Sequence, residues 1–313
     1  SHQLHVSNFA HLKDVKIAFA DLTVLVGPQA SGKSLALQLL KLALDGRAVA
    51  HRMRQSPLLF KGRQQFLSRY LGRGMENAWS GQTRMTLDGN EIDVESIAAH
   101  PRKSEHSLYL VPAHRTLILS SGYPPDFDSF DRETPFVVRQ FSGEVRRLLL
   151  EGIGETLFPQ PKRLKGKVRE KIEEAIFHGG KLVEDSATDE RRELKLDFGP
   201  QHRLSYMTWS AGQREFIPLL LGLYYLLPAG QKRNRPETPW VVIEEPEMGL
   251  HPRGVAAVML LVLDLLSRDY RVVLSTHSPL VLDFVWALQV LKKHAASWQQ
   301  VLQHFEIRGV TRA

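Results

Sequence analysis

The sequence predicts an α/β fold around a mostly parallel sheet, on three observations. Residues 23–26, 108–111, 240–243 and 272–275 are short apolar runs of strand length, helical spacing fills the stretches between several of them, and the first run ends in a glycine-rich turn. Strands alternating with helices imply parallel neighbours joined by crossovers. The chain has 313 residues, 43% of them apolar, which is enough for one large α/β unit carrying insertions. Cysteine is absent, which excludes a disulfide framework, a zinc–thiolate site and a thiol nucleophile and fits a cytoplasmic setting. The longest apolar stretches, 216–227 and 255–266, are broken by Pro218 and Asp264 and fall short of the roughly 20 residues that cross a bilayer, so no membrane partner is expected. The opening Ser1-His2 lacks a Met or an apolar leader and reads as a processing scar.

Taken in order, Leu4 and Val6, then Val15, Ile17 and Phe19, alternate with polar neighbours as half-buried strands do. From Ser34 to Leu44 the leucines give a mostly buried helix, with Gly46 as its expected stop. A basic, partly helical insert follows to about Gly81. Asp88-Gly89-Asn90, set between Met85/Leu87 and Ile92/Val94, has the turn chemistry of a β-hairpin. Residues 120–135, with Pro124-Pro125 and four acids, read as a loop or lid. Helical spacing occupies 136–150 and 168–177, and short strands are expected at 182–184, 193–198 and 203–206. Helices then begin at Gly212, at Pro252, and at Ser278-Pro279, whose residue types suit N-cap and N1.

Gly27-Pro28-Gln29-Ala30-Ser31-Gly32-Lys33-Ser34 fits G-x-x-x-x-G-K-[ST] between a strand and a helix, the context that motif needs. Its glycines let backbone N–H groups approach phosphate oxygens, and the helix N-terminus adds partial positive charge. Lys33 would reach the β and γ phosphates of a nucleotide, and Ser34 would hold Mg²⁺. The run Trp240 to Glu247 delivers carboxylates to the end of a buried strand, where open α/β sheets bind ligands. There Glu244 would reach Mg²⁺ through water, and Glu245 would orient or deprotonate an attacking water. His277 ends another strand at the same edge and could sense the γ-phosphate, although a lone His before a helix is commonly a satisfied polar residue.

Trp209-Ser210-Ala211-Gly212-Gln213 precedes a helix and completes a fixed order: phosphate loop, Ser-x-Gly turn, acidic strand, His. In that order the sequence resembles the ABC-type ATPases, specifically the heads of the SMC, RecF and OLD-like group in their bacterial defence-associated AAA branch. The resemblance implies a P-loop α/β fold over 1–313, with an ABC-ATPase-like core sheet, an antiparallel β subdomain and a helical signature lobe. A basic insert and hairpin would occupy 41–105 and the signature lobe 116–213, with its lid at 120–135. It also implies ATP and Mg²⁺ as cofactors and a head-to-tail homodimer or higher oligomer. Ser210, Gly212, Gln213 and the helix they open would cover the γ-phosphate held by the opposite subunit. Pro112-Ala113-His114-Arg115 looks like a Pro-Ala-x-Arg strand of that branch. Gln29-Ala30 stands where this branch has Asn-Gly and Ala211 where the signature has Gly or Ser, small changes that leave phosphate binding expected; Glu244 stands where most relatives place Asp, and its longer side chain allows for slow turnover. There is no clear Q-loop glutamine; His114 or Arg115 occupies the region, and Arg115 reads equally as a structural ion pair.

The net charge of +7 is local. Between Lys41 and Met75, eight basic residues face one acid, Asp45. Of these, Arg47, Arg52, Arg54, Lys61, Arg63, Arg69 and Arg73 are candidates for contacting DNA or an acidic partner, against the plain reading of a solvated face. A second cluster runs from Lys162 to Lys171. The chain has no heptad array for an SMC arm, and too few residues after His277 for a nuclease domain. The expected function is therefore an ATPase that controls a separate nuclease or toxin, in antiphage defence. A RecF-like DNA clamp in repair is the alternative, with a transporter ATPase behind it.

Overall fold

The computed structural model describes residues 2–185, 192–229 and 234–304. The first half runs β1 (His2–Phe9), β2 (Leu12–Phe19), β3 (Leu22–Val26), α1 (Lys33–Arg54), α2 (Gly62–Leu71), β4 (Trp79–Leu87), β5 (Asn90–Glu91), α3 (Val94–Ala99), β6 (Leu108–Val111) and α4 (Phe136–Leu150). The second half runs β7 (Thr156–Phe158), α5 (Gly166–Ile172), β8 (Lys181–Asp185), β9 (Glu193–Asp197), β10 (Arg203–Ser205), α6 (Ala211–Leu226), β11 (Trp240–Glu244), α7 (Pro252–Ser267), β12 (Arg271–Thr276), α8 (Pro279–Lys293) and α9 (Trp298–His304).

Among the described residues, three four-stranded sheets form. The core sheet, in the order β3-β12-β11-β6, is parallel throughout. Its strands are the four apolar runs of the sequence. Strands β11 and β6 are buried at every position, as a sheet covered on both faces requires. The sheet β2-β1-β4-β5 is antiparallel, so the expected β subdomain is present. A second antiparallel sheet, β10-β9-β8-β7, lies in the segment expected to be a helical lobe, which is therefore mixed α/β. No described helix is long and apolar enough to cross a membrane.

Four local expectations are corrected. Gly46 does not stop a helix, because α1 continues through it to Arg54. A Cβ there would lie 2.8 Å from Ile97 Cδ1, so the glycine lets α3 pack closely on α1. The hairpin turn forms at Asp88 (φ 54°) and Gly89 (φ 81°), but its second arm is only two residues long. Val94 instead opens α3, because the Asp93 carboxylate accepts from the N–H groups of Glu95 and Ser96 and caps that helix. Residues 120–135 form a packed strap rather than a loose lid: Tyr123 and Phe127 are buried, and the guanidinium of Arg139 donates to the carbonyls of Phe127, Asp131 and Thr134. Lys41, counted among the surface cations, is 1% exposed and donates to Asp45 and to the Leu108 carbonyl.

Candidate nucleotide-binding and hydrolysis site

The registers Thr276↔Val26, Glu244↔Ser275 and Ile243↔Val111 put the carboxyl ends of all four core strands on one edge. At that edge the chain leaves β3, turns through residues 27–32 and enters α1. Ala30 (φ 59°) and Gly32 (φ 89°) take left-handed conformations to make the turn. Gly32 has no room for a side chain: a Cβ would lie 2.5 Å from Leu12 Cδ2 and 2.8 Å from His11 Nε2, at the tip of the β1–β2 hairpin. Gly27 lies against Ser31, and Pro28, Gln29, Ala30 and Ser31 are exposed. The Lys33 ammonium folds over the loop, donating to the carbonyls of Gly27 (2.8 Å) and Pro28 (2.7 Å) and to Ser31 Oγ (3.4 Å). The first N–H groups of α1 have no helical acceptors and open toward the same turn, a ready anion cradle.

Glu244, at the end of β11, is buried, and one carboxylate oxygen accepts from the Ala113 N–H at 3.0 Å. Burial raises its pKa, against the Ala113 N–H and the Ser34 hydroxyl, which favour the anion. The other oxygen, Oε1, is buried and has no protein partner. A buried carboxylate with a free oxygen, close to the P-loop hydroxyl, is a donor set that fits Mg²⁺. This cation takes one or two protein oxygens and completes its shell with water and phosphate. Ser34 and Glu244 would hold it there. Glu245 follows with φ 43°, a left-handed conformation costing a non-glycine residue roughly 1–2 kcal/mol. Its N–H is held by the Ser275 carbonyl at 2.9 Å.

His277 leaves β12 at the same edge, with its side chain 42% exposed. Its placement depends on Glu247, an acid of the same run to which the sequence assigns no separate role. Glu247 Oε1 accepts from Thr276 Oγ1 (2.7 Å) and from the His277 N–H (3.1 Å), and lies 3.6 Å from His277 Nδ1. Arg115 is a second residue whose part the sequence left open. Its guanidinium is completely buried and donates to the carbonyls of Glu215 (3.0 Å), Glu244 (3.0 Å) and Glu245 (3.1 Å). Those bonds tie β11 to α6 within this chain. The signal for both residues lay in the short motifs Glu-Pro-Glu and Pro-Ala-x-Arg, whose partners are remote in sequence.

Ser210 is the N-cap of α6. Its hydroxyl accepts from the Gln213 N–H, and the Gln213 side chain accepts from the Ser210 N–H, a capping box. Gln213 Nε2 also donates to the Ile176 carbonyl. Gly212 faces Gly249, with the carbonyl oxygen of that residue 3.5 Å from where a Cβ would sit. Among the described residues these bonds run within the turn and toward residues 176 and 249, while Lys33, Ser34, Glu244, Glu245 and His277 gather at the sheet edge.

The basic candidates divide. Arg52 pairs with Asp128 and stacks on Phe127, Arg54 donates to the Ala98 carbonyl, Arg69 donates to the Arg132 carbonyl, and Arg73 pairs with Glu133. Arg47 and Lys61 are exposed, and Arg63 is half-buried. In the second cluster, Lys165 pairs with buried Asp264 at 2.6 Å and Arg163 donates to the carbonyls of Tyr224 and Leu227, while Lys162, Lys167 and Lys171 are exposed.

Residues 156–283 match the family model described as "AAA domain, putative AbiEii toxin, Type IV TA system". That span holds Ser210, Glu244, Glu245 and His277, and the phosphate loop lies outside it. The chain therefore carries, over that span, a likeness to an AAA-type domain. Among solved structures it is similar to the SmcHead bound to the C-winged helix domain of ScpA, at 13% identity and a TM-score of 0.48, with 90% of each chain covered. It is similar also to the SMC head domain from Thermotoga maritima, at 14% identity, a TM-score of 0.37 and 90% of each chain. The Smc head from Pyrococcus furiosus bound to the C-terminal domain of ScpA gives 12%, 0.42 and again 90% of each chain. No curated protein matches the sequence.

Proposed function

We propose that this chain is an ATPase head that binds ATP with Mg²⁺, closes head to tail with a second copy, and hydrolyses the nucleotide to control a separate effector, a nuclease or toxin, in bacterial defence against phage. The observation that carries the catalytic part is the buried, unpartnered Oε1 of Glu244 beside Ser34, at the mouth of a complete phosphate loop. Bound Mg²⁺ would offset charge on the phosphates. Lys33 exchanges its loop carbonyls for phosphate oxygens, Glu245 orients the attacking water and takes its proton, and His277, steadied by Glu247, lines the same edge. The bonds of Ser210 and Gln213 run within their own turn and to Ile176 rather than to the phosphate loop, which suits completion of each centre by the α6 N-terminus of an opposing subunit. The clamp reading has less support, because Arg52, Arg54 and Arg69 bond within the chain, although Arg73 meets Glu133 in an exposed pair.

The test is phosphate release by the purified protein with ATP and Mg²⁺, set against Glu245→Gln. Removing a general base costs about 10²–10⁴-fold in rate, so the variant should bind ATP, release little phosphate and accumulate as a dimer. Wild-type protein that releases no phosphate with or without a co-purifying partner overturns the reading.

A further inference from the structure

Arg115 sits where two parts of the proposed catalytic cycle meet. The signature turn opens α6, and Glu215 lies in the second turn of that helix. Glu244 and Glu245 end the acidic strand. One planar guanidinium joins them: Nε donates to the Glu215 carbonyl at 3.0 Å, Nη1 to the Glu244 carbonyl at 3.0 Å and Nη2 to the Glu245 carbonyl at 3.1 Å. Nη2 also lies 3.4 Å from the Glu215 carboxylate, so the side chain of the helix residue is engaged as well as its backbone.

Three features make this more than a buried ion pair. Helix α6 carries Pro218, which has no N–H for the Arg214 carbonyl, so the helix is weakest in hydrogen bonding beside the residue Arg115 grips. Glu245 is left-handed at φ 43°, and its peptide groups are held by the Ser275 carbonyl on one side and by Arg115 on the other. Glu215 also packs on Gly249, whose Cβ, if it had one, would sit 2.9 Å from Glu215 Cγ. A shift of α6 therefore acts on the backbone of Glu245 through the one fully buried guanidinium that holds both.

We propose that Arg115 is a positioning residue that transmits the placement of the signature helix to the carboxylate of Glu245, so that engagement of α6 by the opposing subunit aligns the water-activating group in the same chain. This rests on the ATPase reading given above. Arg115 touches no nucleotide in this scheme. Its loss should leave nucleotide binding and dimerisation in place and lower the rate of the chemical step.

The experiment compares wild type, Arg115→Lys, Arg115→Gln and Glu215→Gln in three measurements: affinity for a fluorescent ATP analogue, ATP-dependent dimer mass, and single-turnover hydrolysis per folded molecule. Lys keeps the charge beside Glu215 but cannot bridge three carbonyls. Expected are affinities within about 2-fold of wild type, dimers still formed with ATP, and hydrolysis reduced 10-fold or more in Arg115→Lys and Arg115→Gln, with a smaller loss in Glu215→Gln. Should Arg115→Gln not fold, Arg115→Lys decides the matter. Wild-type turnover per folded molecule in Arg115→Lys, or affinity and rate falling together, overturns the positioning role and leaves the ATPase reading standing. An inactive wild type overturns both.

Discussion

Gly32 shows how closely residue chemistry is specified at the phosphate loop. With φ 89° and Leu12 2.5 Å from any added Cβ, Gly32→Ala meets both backbone strain and a clash. It should lose about 1–3 kcal/mol of stability in a denaturant titration and weaken ATP binding at least 10-fold by titration calorimetry. A Gly32→Ala protein with wild-type affinity would show that the hairpin tip yields freely. Glu244 gives a second prediction. In Glu244→Gln the ratio of ATP affinity with Mg²⁺ to affinity with chelator should fall toward unity, since the substituted amide is a far poorer Mg²⁺ ligand. These residues were legible because phosphate and metal chemistry demands contiguous donors at a strand–helix junction. Arg115 and Glu247 were not, because their roles come from partners 129 and 29 positions away that only the folded sheet edge brings near.

At the scale of elements, α1 is coupled to the core sheet by a buried ion pair. Lys41 donates to Asp45 at 3.1 Å and to the Leu108 carbonyl at 2.8 Å, and Asp45 accepts from the N–H groups of Ser107 and Leu108 at the start of β6. Burial works to raise the Asp45 pKa, but Lys41, His106 and the Ser107 N–H together bring it from 3.8 down to about 2. A native pKa below the unfolded one means stability that is present above about pH 4 and is lost as pH falls toward 2. Asp45→Asn leaves Lys41 buried without its anion and should cost about 3 kcal/mol or more at pH 7. The gap to wild type should narrow between pH 4 and pH 2, read from urea midpoints at each pH. A constant gap across that range would remove Asp45 from the acid response. Sequence periodicity found this helix but ended it at Gly46, because a helix-stopping glycine and one that admits a neighbouring helix look the same until Ile97 is seen against it. Three of the four strands of the signature segment are legible one by one and β7 is not; their pairing into a sheet is not legible either, since cross-strand register is a non-local property.

For the whole molecule, the open question is how many chains make one active centre. Within one protomer, Lys33, Ser34, Glu244, Glu245 and His277 meet at the sheet edge, while the bonds of Ser210 and Gln213 are to each other and to Ile176. The order of the motifs in the sequence could signal both halves of the machine but not their separation, which the fold determines. If two subunits pair head to tail, each centre takes its phosphate loop from one chain and its signature turn from the other. Lys33→Ala and Ser210→Arg should then each be inactive alone and active when mixed. Random pairing of equal amounts makes half the dimers mixed, and each mixed dimer has one intact centre out of two, so about a quarter of wild-type phosphate release should return. A mixture as inactive as its components would mean that each protomer must supply both motifs to its own site. Wild-type release by Ser210→Arg alone would mean that the signature turn takes no part in hydrolysis at all.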